Sequence, residues 1–121
     1  MLTPDDVQRW LDAYVEAWRT YDEAAIRALF APGASYAFHP NDDPVHGPDA
    51  IAAAWLRDRD DPDSWEATYA PALTDGNAAI AKGETRYPAA GHTFRNLFEL
   101  EFDDEHRCTR FVEWYARNEA E

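Results

Sequence analysis

TFRNLFELEFDDEHRCTRFVEWYAR, residues 93–117, decides the fold. It reads as two strands joined by a tight polar turn. Phe94, Phe98, Leu100 and Phe102 recur with period two, which places them on one strand face, and Asn96 falls on that face with them. Arg95, Leu97, Glu99 and Glu101 fall on the other face. Asp103-Asp104-Glu105-His106 is too polar for a buried strand and makes the turn. The return strand starts at Cys108 and carries Phe111, Glu113 and Tyr115 on one face, an acid between two aromatics. An amide and a carboxylate among aromatics on paired strands imply a partly polar cavity.

The chain has 121 residues, enough for a single domain over 1–121 with one core. Hydrophobic residues make up 45% and aromatics 14%, so folding needs no disulfide. The single cysteine, Cys108, cannot form an internal bridge, and a reducing cytoplasm is the expected compartment. The opening MLTPDDVQRW has acids where a signal peptide needs positive charge and an apolar run. No apolar stretch approaches the roughly 20 residues that span a bilayer. The net charge of −13 disfavours nucleic acid and anionic membranes, because both are held by clustered Lys and Arg. The usual glycine-rich nucleotide loops and the paired-Cys and paired-His metal motifs are missing from the sequence.

Before the strands come helices. Thr3-Pro4-Asp5-Asp6 is a helix start, with a capping Thr, Pro in the first turn and acids at the positive dipole end. Val7, Trp10, Leu11, Tyr14, Trp18 and Tyr21 then follow helical spacing. Asp22 opens a shorter helix with Ile26, Leu29 and Phe30 on its apolar face, stopped by Pro32-Gly33. Ser35 to His39 is a short strand, Pro40 to Gly47 an irregular loop, and Pro48-Asp49 the start of a third helix with Ile51, Trp55 and Leu56 inward. Trp65 to Thr74 reads as a strand whose Pro71 requires an edge or a bulge. Asp75-Gly76 turns it into a strand from Asn77 to Tyr87. The small face of that strand, Ala79, Ala81, Gly83 and Thr85, is placed toward the cavity. Helices followed by a run of antiparallel strands make an α+β domain: a curved antiparallel sheet wrapped as a cone around three helices.

This order resembles the nuclear transport factor 2-like superfamily, which includes ketosteroid isomerase and the SnoaL-type cyclases. The resemblance rests on YVEAWRTYDEAAIRALFA (residues 14–31), HPNDDPVHGPDAI (39–51) and FDDEHRCTRFVEWY (102–115). It implies a homodimer, as does the outer face of the long meander, which keeps Leu97 and other apolar atoms that a partner could cover. Against the isomerase pattern, Tyr14 matches the oxyanion-hole tyrosine. Phe38 occupies the position of the general base in direct register, and His39 reaches it only with a one-residue shift. Phe98 stands at the second oxyanion-hole acid. Against the SnoaL-type pattern, Glu113 falls near the acid used for proton transfer.

Glu113, Tyr14 and Asn96 are the catalytic candidates. Among aromatics a carboxylate's charged form is disfavoured, so its pKa rises toward a useful value. Alternatively Glu113 points outward or pairs with Arg95 or Arg110, since one register slip reverses the faces. Tyr14 either donates to a substrate oxygen or is a core tyrosine. Asn96 either orients a ligand or satisfies backbone at a bulge. Trp18, His39, Trp55, Phe98 and Phe111 are candidate ligand contacts, with Trp18, Trp55 and Trp114 first of all core residues. His39, Asp42, Asp43 and His46 fit no zinc or calcium spacing, so no metal is expected. Two functions follow: a cofactor-free acid–base enzyme acting on a small, largely apolar, oxygen-bearing molecule, or a non-catalytic ligand-binding or dimerising domain.

Overall fold

The structure is a computed structural model and describes residues 1–118; residues 119–121 of the expected domain lie outside them. Helix α1, Pro4–Thr20, starts at a capping box in which Thr3 and Asp6 each bond the other's backbone N–H. It buries Val7, Trp10, Leu11, Tyr14 and Ala17, and it ends at Tyr21, whose left-handed backbone (φ 51°) lets its N–H close on Ala17 O at 2.8 Å.

Helix α2 is shorter than its apolar pattern suggests, Glu23–Ala28, and Phe30 already belongs to strand β1, Phe30–Ala37. Pro32 and Gly33 do not end a helix; they form an irregularity inside that strand. Phe30 faces Cys108 and Ser35 faces Arg110, so β1 carries extra residues between the two pairs. Pro32 lacks a ladder donor and Gly33 sits at φ +76°, which suits both to a bulge. The stretch after Pro40, expected to be irregular, contains a two-residue strand, β2 (Val45–His46), paired to β1. Helix α3 runs Pro48–Arg57. Strands β3 (Glu66–Asp75), β4 (Ala78–Tyr87), β5 (His92–Phe102) and β6 (Cys108–Arg117) follow as a meander.

All six strands form one open sheet in the order β2-β1-β6-β5-β4-β3. It is mixed rather than antiparallel throughout, because β1 pairs with β6 in parallel. The reason is strand parity: β6, last of four alternating strands, runs opposite to β3, and the α3 crossover has β3 start opposite to β1. Pro71 lies on β3, which is an edge strand, and the ladder also shifts between Pro71 and Leu73.

The concave face of the sheet holds the helices. Trp10 and Tyr14 of α1 stack at 5.4 Å and meet Phe98 and Phe111 of the sheet, while Tyr36 of β1 stacks on Phe111 at 4.3 Å. Each such fully buried side chain contributes about 1.5–3 kcal/mol over its exposed state. Trp10 Nε1 donates to Leu29 O at 3.0 Å, so its polar atom is not stranded. Cys108 is fully buried, and burial pushes its thiol up to about 12, which leaves it a small apolar core residue. Trp114 is not core: it is 48% exposed on the convex face, where its indole donates to Glu99. Strand alternation puts it opposite Phe111 and Glu113, and this outweighs its hydrophobicity.

Candidate functional site

A cavity of about 360 Å³ opens between α1, α3 and the concave face of the sheet. Tyr14 and Trp18 reach it from α1, Tyr36 and Phe38 from β1 and its end, and Trp55 from α3. Tyr69, Tyr87, Phe94 and Tyr115 supply further rings from the meander, and Thr85, Asn96 and Glu113 supply its polar floor.

The polar groups form a directed chain. Asn96 Nδ2 donates to Glu113 Oε2 at 2.7 Å, and Thr85 Oγ1 donates to Asn96 Oδ1 at 3.0 Å. Thr85 has only one hydroxyl hydrogen, so Tyr69 O–H must donate in the short bond between these two hydroxyls. Hydrogens therefore point from Tyr69 to Thr85 to Asn96 to Glu113, one residue from each of β3, β4, β5 and β6. Each link is a diagonal. Gly83 directly faces both Tyr69 and Asn96, Thr85 lies two residues on, and Asn96 faces Tyr115, two residues past Glu113. Asn96 is 6% exposed and Thr85 3%, so this is a buried network with its members satisfied.

Glu113 is half-buried among rings, and among the described residues no cation pairs with it. Arg110, on the opposite face, pairs with Glu99 and Glu101 instead. Burial pushes the Glu113 carboxyl up from 4.5 to about 7, against the smaller opposing pull of the Asn96 N–H. Tyr14, 6% exposed, has its hydroxyl 3.4 Å from that of Tyr36. Burial first, then the neighbouring hydroxyl or carboxylate, holds both phenols well above 10, so both stay protonated and able to donate. Trp55 Nε1 lies beside the Tyr36 hydroxyl but outside hydrogen-bond geometry and is a buried donor without a partner. At the rim Trp18, stacked on Trp65 at 3.6 Å, donates its indole N–H to Asp60 Oδ2 at 3.1 Å.

The cavity thus gathers Glu113, Tyr14, Asn96, Trp18 and Trp55. Phe98 and Phe111 are fully buried behind Tyr14 and do not reach it. His39 also stands outside: its Nδ1 accepts from Asn41 N–H at 3.2 Å and its ring meets the edge of Tyr115, while Phe38 takes the wall position. Asn96 serves no bulge: the register of β5 is regular around it, and its amide bonds two side chains. Tyr36 and Tyr69 are site residues that the sequence reading did not name, and Thr85 is one that it turned toward the cavity without giving it a role. Tyr36 could have been found from Tyr36 and Phe38 alternating in their strand. Tyr69 depends on the position of β3 across the sheet, which no local pattern reveals. Among the described residues no three His, Cys, Asp or Glu side chains are grouped as a metal ion requires, and no helix is long and apolar enough to cross a membrane.

Solved structures share this architecture. An NTF-2 like protein of unknown function from Burkholderia xenovorans LB400 superposes with a TM-score of 0.72 at 15% identity, covering 93% of this chain and 84% of that one. A Kribbella flavida DSM 17836 protein provisionally named a ketosteroid isomerase gives 0.72 at 15% identity, with 93% and 79% covered. An LEH-like epoxide hydrolase of M. tuberculosis gives 0.68 at 15% identity, with 93% and 84% covered. At such identity these likenesses establish the fold alone. No curated protein matches the sequence significantly. The SnoaL-like domain model matches residues 11–113, from within α1 to Glu113 itself. With most of its length matched and its fold shared, the chain belongs to the SnoaL-like domain family, within the nuclear transport factor 2-like fold.

Proposed function

We propose that the cavity is the site of a cofactor-free acid–base enzyme acting on a small, largely apolar molecule with a carbonyl or similar oxygen. The observation that carries this reading is the Glu113 carboxyl, held at 2.7 Å by Asn96 in an aromatic cavity and poised at about 7. A group with that pKa both takes and returns a proton at neutral pH. Glu113 removes a proton from the substrate, and the negative charge moves onto the substrate's oxygen. The protonated Tyr14 and Tyr36 hydroxyls donate to that oxygen. Glu113 then returns the proton elsewhere, which gives isomerisation or ring closure; where Glu113 takes its proton from a water instead, the hydroxide oxygen bonds to the substrate and the proton returns to the product, which gives hydration. The isomerase and epoxide hydrolase names among the fold relatives are compatible with this class of chemistry.

A second reading, ligand binding without chemistry, is favoured by Phe38 and Phe98, which stand where the isomerase resemblance places acids. Glu113→Gln separates the two. Loss of turnover with binding kept supports the enzyme; full activity on a substrate found by screening for thermal stabilisation returns Glu113 to a structural role. The chain is further proposed to pair with a second copy through the convex face, where Trp114 is exposed beside half-buried Leu97. A monomer in sedimentation at micromolar concentration would count against that pairing.

A further inference from the structure

Three carboxylates border the cavity, Glu113 on its floor and Asp58 and Asp60 at its rim, and its lining holds no Lys, Arg or His. Among the described residues none of the three belongs to an ion pair. Arg59, at the rim, lies over the Tyr21 ring at 5.6 Å from its centroid rather than on an acid. The remaining walls are mostly ring faces.

These features select by charge. An anionic ligand would meet half-buried Glu113 and the two rim carboxylates with no cation in the lining to offset their repulsion. A neutral ligand leaves the carboxylates uncompensated. A cation meets both the carboxylates and the negative faces of the rings, the combination by which aromatic cages hold alkylated ammonium groups. We infer that the cavity takes a small organic cation, an alkylated ammonium that also carries the oxygen proposed to meet Tyr14 and Tyr36. This inference rests on the cavity being a ligand site and narrows the substrate class proposed for it.

Binding of such a cation is linked to ionisation of Glu113. The groups facing that carboxyl are the hydroxyls of Tyr14, Tyr36, Tyr69 and Tyr87, from α1, β1, β3 and β4, and the Asn96 amide of β5. All are neutral at pH 7, so a bound cation would shift Glu113 further toward its ionised form.

The test is calorimetric titration of the whole chain at low salt with three probes of one shape. They are choline, the neutral alcohol in which tert-butyl replaces trimethylammonium, and the tert-butylacetate anion. At pH 8 choline should bind at least about tenfold more tightly than the alcohol, and the anion should not bind. Choline affinity should rise by up to about tenfold per pH unit below the Glu113 pKa and level off above it, while the alcohol shows no such rise. Asp58→Asn with Asp60→Asn, both at the rim, should weaken choline and spare the alcohol. Equal affinity for choline and the alcohol, or no choline binding at millimolar concentration, overturns the inference. Glu113-dependent turnover of a neutral substrate alongside equal affinity would sink this inference and leave the proposed chemistry standing. Choline preference with no role for Glu113 in turnover would do the reverse.

Discussion

The amide of Asn96 is held at both ends beside Glu113: Thr85 donates to its oxygen at 3.0 Å while its nitrogen donates to the carboxylate at 2.7 Å. The one donor that steadies the Glu113 anion is thus fixed from behind. Asn96→Leu removes it, and the Glu113 pKa should then climb further above 7. A hydrogen bond to a charged group is worth about 1.5–3 kcal/mol, or roughly one to two pKa units. A carbon-detected NMR titration of the Glu113 carboxyl reads the shift directly.

Thr85 should matter through the same amide. Thr85→Val leaves Asn96 Oδ1 without its donor and Tyr69 O–H without its acceptor, both buried. Stability should fall by about 1–3 kcal/mol in denaturant titration. Thr85→Ser keeps the hydroxyl and should recover most of it.

Glu113 makes the fold more stable in acid, over a defined window. Its folded pKa, about 7, lies above its unfolded value of 4.5. Between those values the folded state holds a proton that the unfolded state has lost. This contribution is fully present below pH 4.5, declines as pH rises, and is gone above 7. Its size is at most about 3 kcal/mol. Glu113→Gln removes the pH-dependent loss, so the variant should have the higher Tm at pH 8 and little advantage at pH 4.5. Thermal melts of both proteins across that range check it.

On activity the two central groups should separate. Glu113→Gln keeps shape but cannot carry the proton, so kcat should drop by about 10²–10⁴-fold. Tyr14→Phe removes one donor to the substrate's oxygen, costing about 10²–10³-fold. Since both serve one transition state, the double variant should lose less than the product of the single losses.

Gly83 carries a backbone constraint rather than a chemical one. A Cβ there would stand 1.9 Å from Thr68 O and 2.6 Å from Tyr69 Cδ1. Gly83→Ala must therefore push β3 away from β4, at a cost of about 1–3 kcal/mol or more. Denaturant unfolding gives the loss, and a wild-type midpoint would show that β3 can yield.

Much of this was legible in the sequence because strand alternation is a short-range rule. Period two put Asn96 with Phe98 and Glu113 with Phe111 on one face of each strand, and the pairing of β5 with β6 turns both faces to the concave side. Pro71 announced an edge or a bulge and has both. What stayed hidden is nonlocal or ambiguous. Pro32-Gly33 is a good helix stop and an equally good strand bulge, so only the pairing of β1 with β6 decides between them. His39 drew attention as a titratable group at a strand end, but alternation from Tyr36 turns Phe38 inward and leaves His39 aside. Trp114 misled through its hydrophobicity, although the pattern that set Glu113 inward already set Trp114 outward.

The four-residue chain crossing β3, β4, β5 and β6 also makes Glu113 a gauge of assembly. A slip of one residue in β4 or β5 would carry Thr85 or Asn96 to the convex face and uncouple the carboxyl from the far edge of the sheet. A mispaired or half-built sheet leaves Glu113 open to water, titrating as an ordinary acid near 4.5 rather than about 7. The same proton that the site is proposed to move would then count, during refolding, how many chains have all four strands in register.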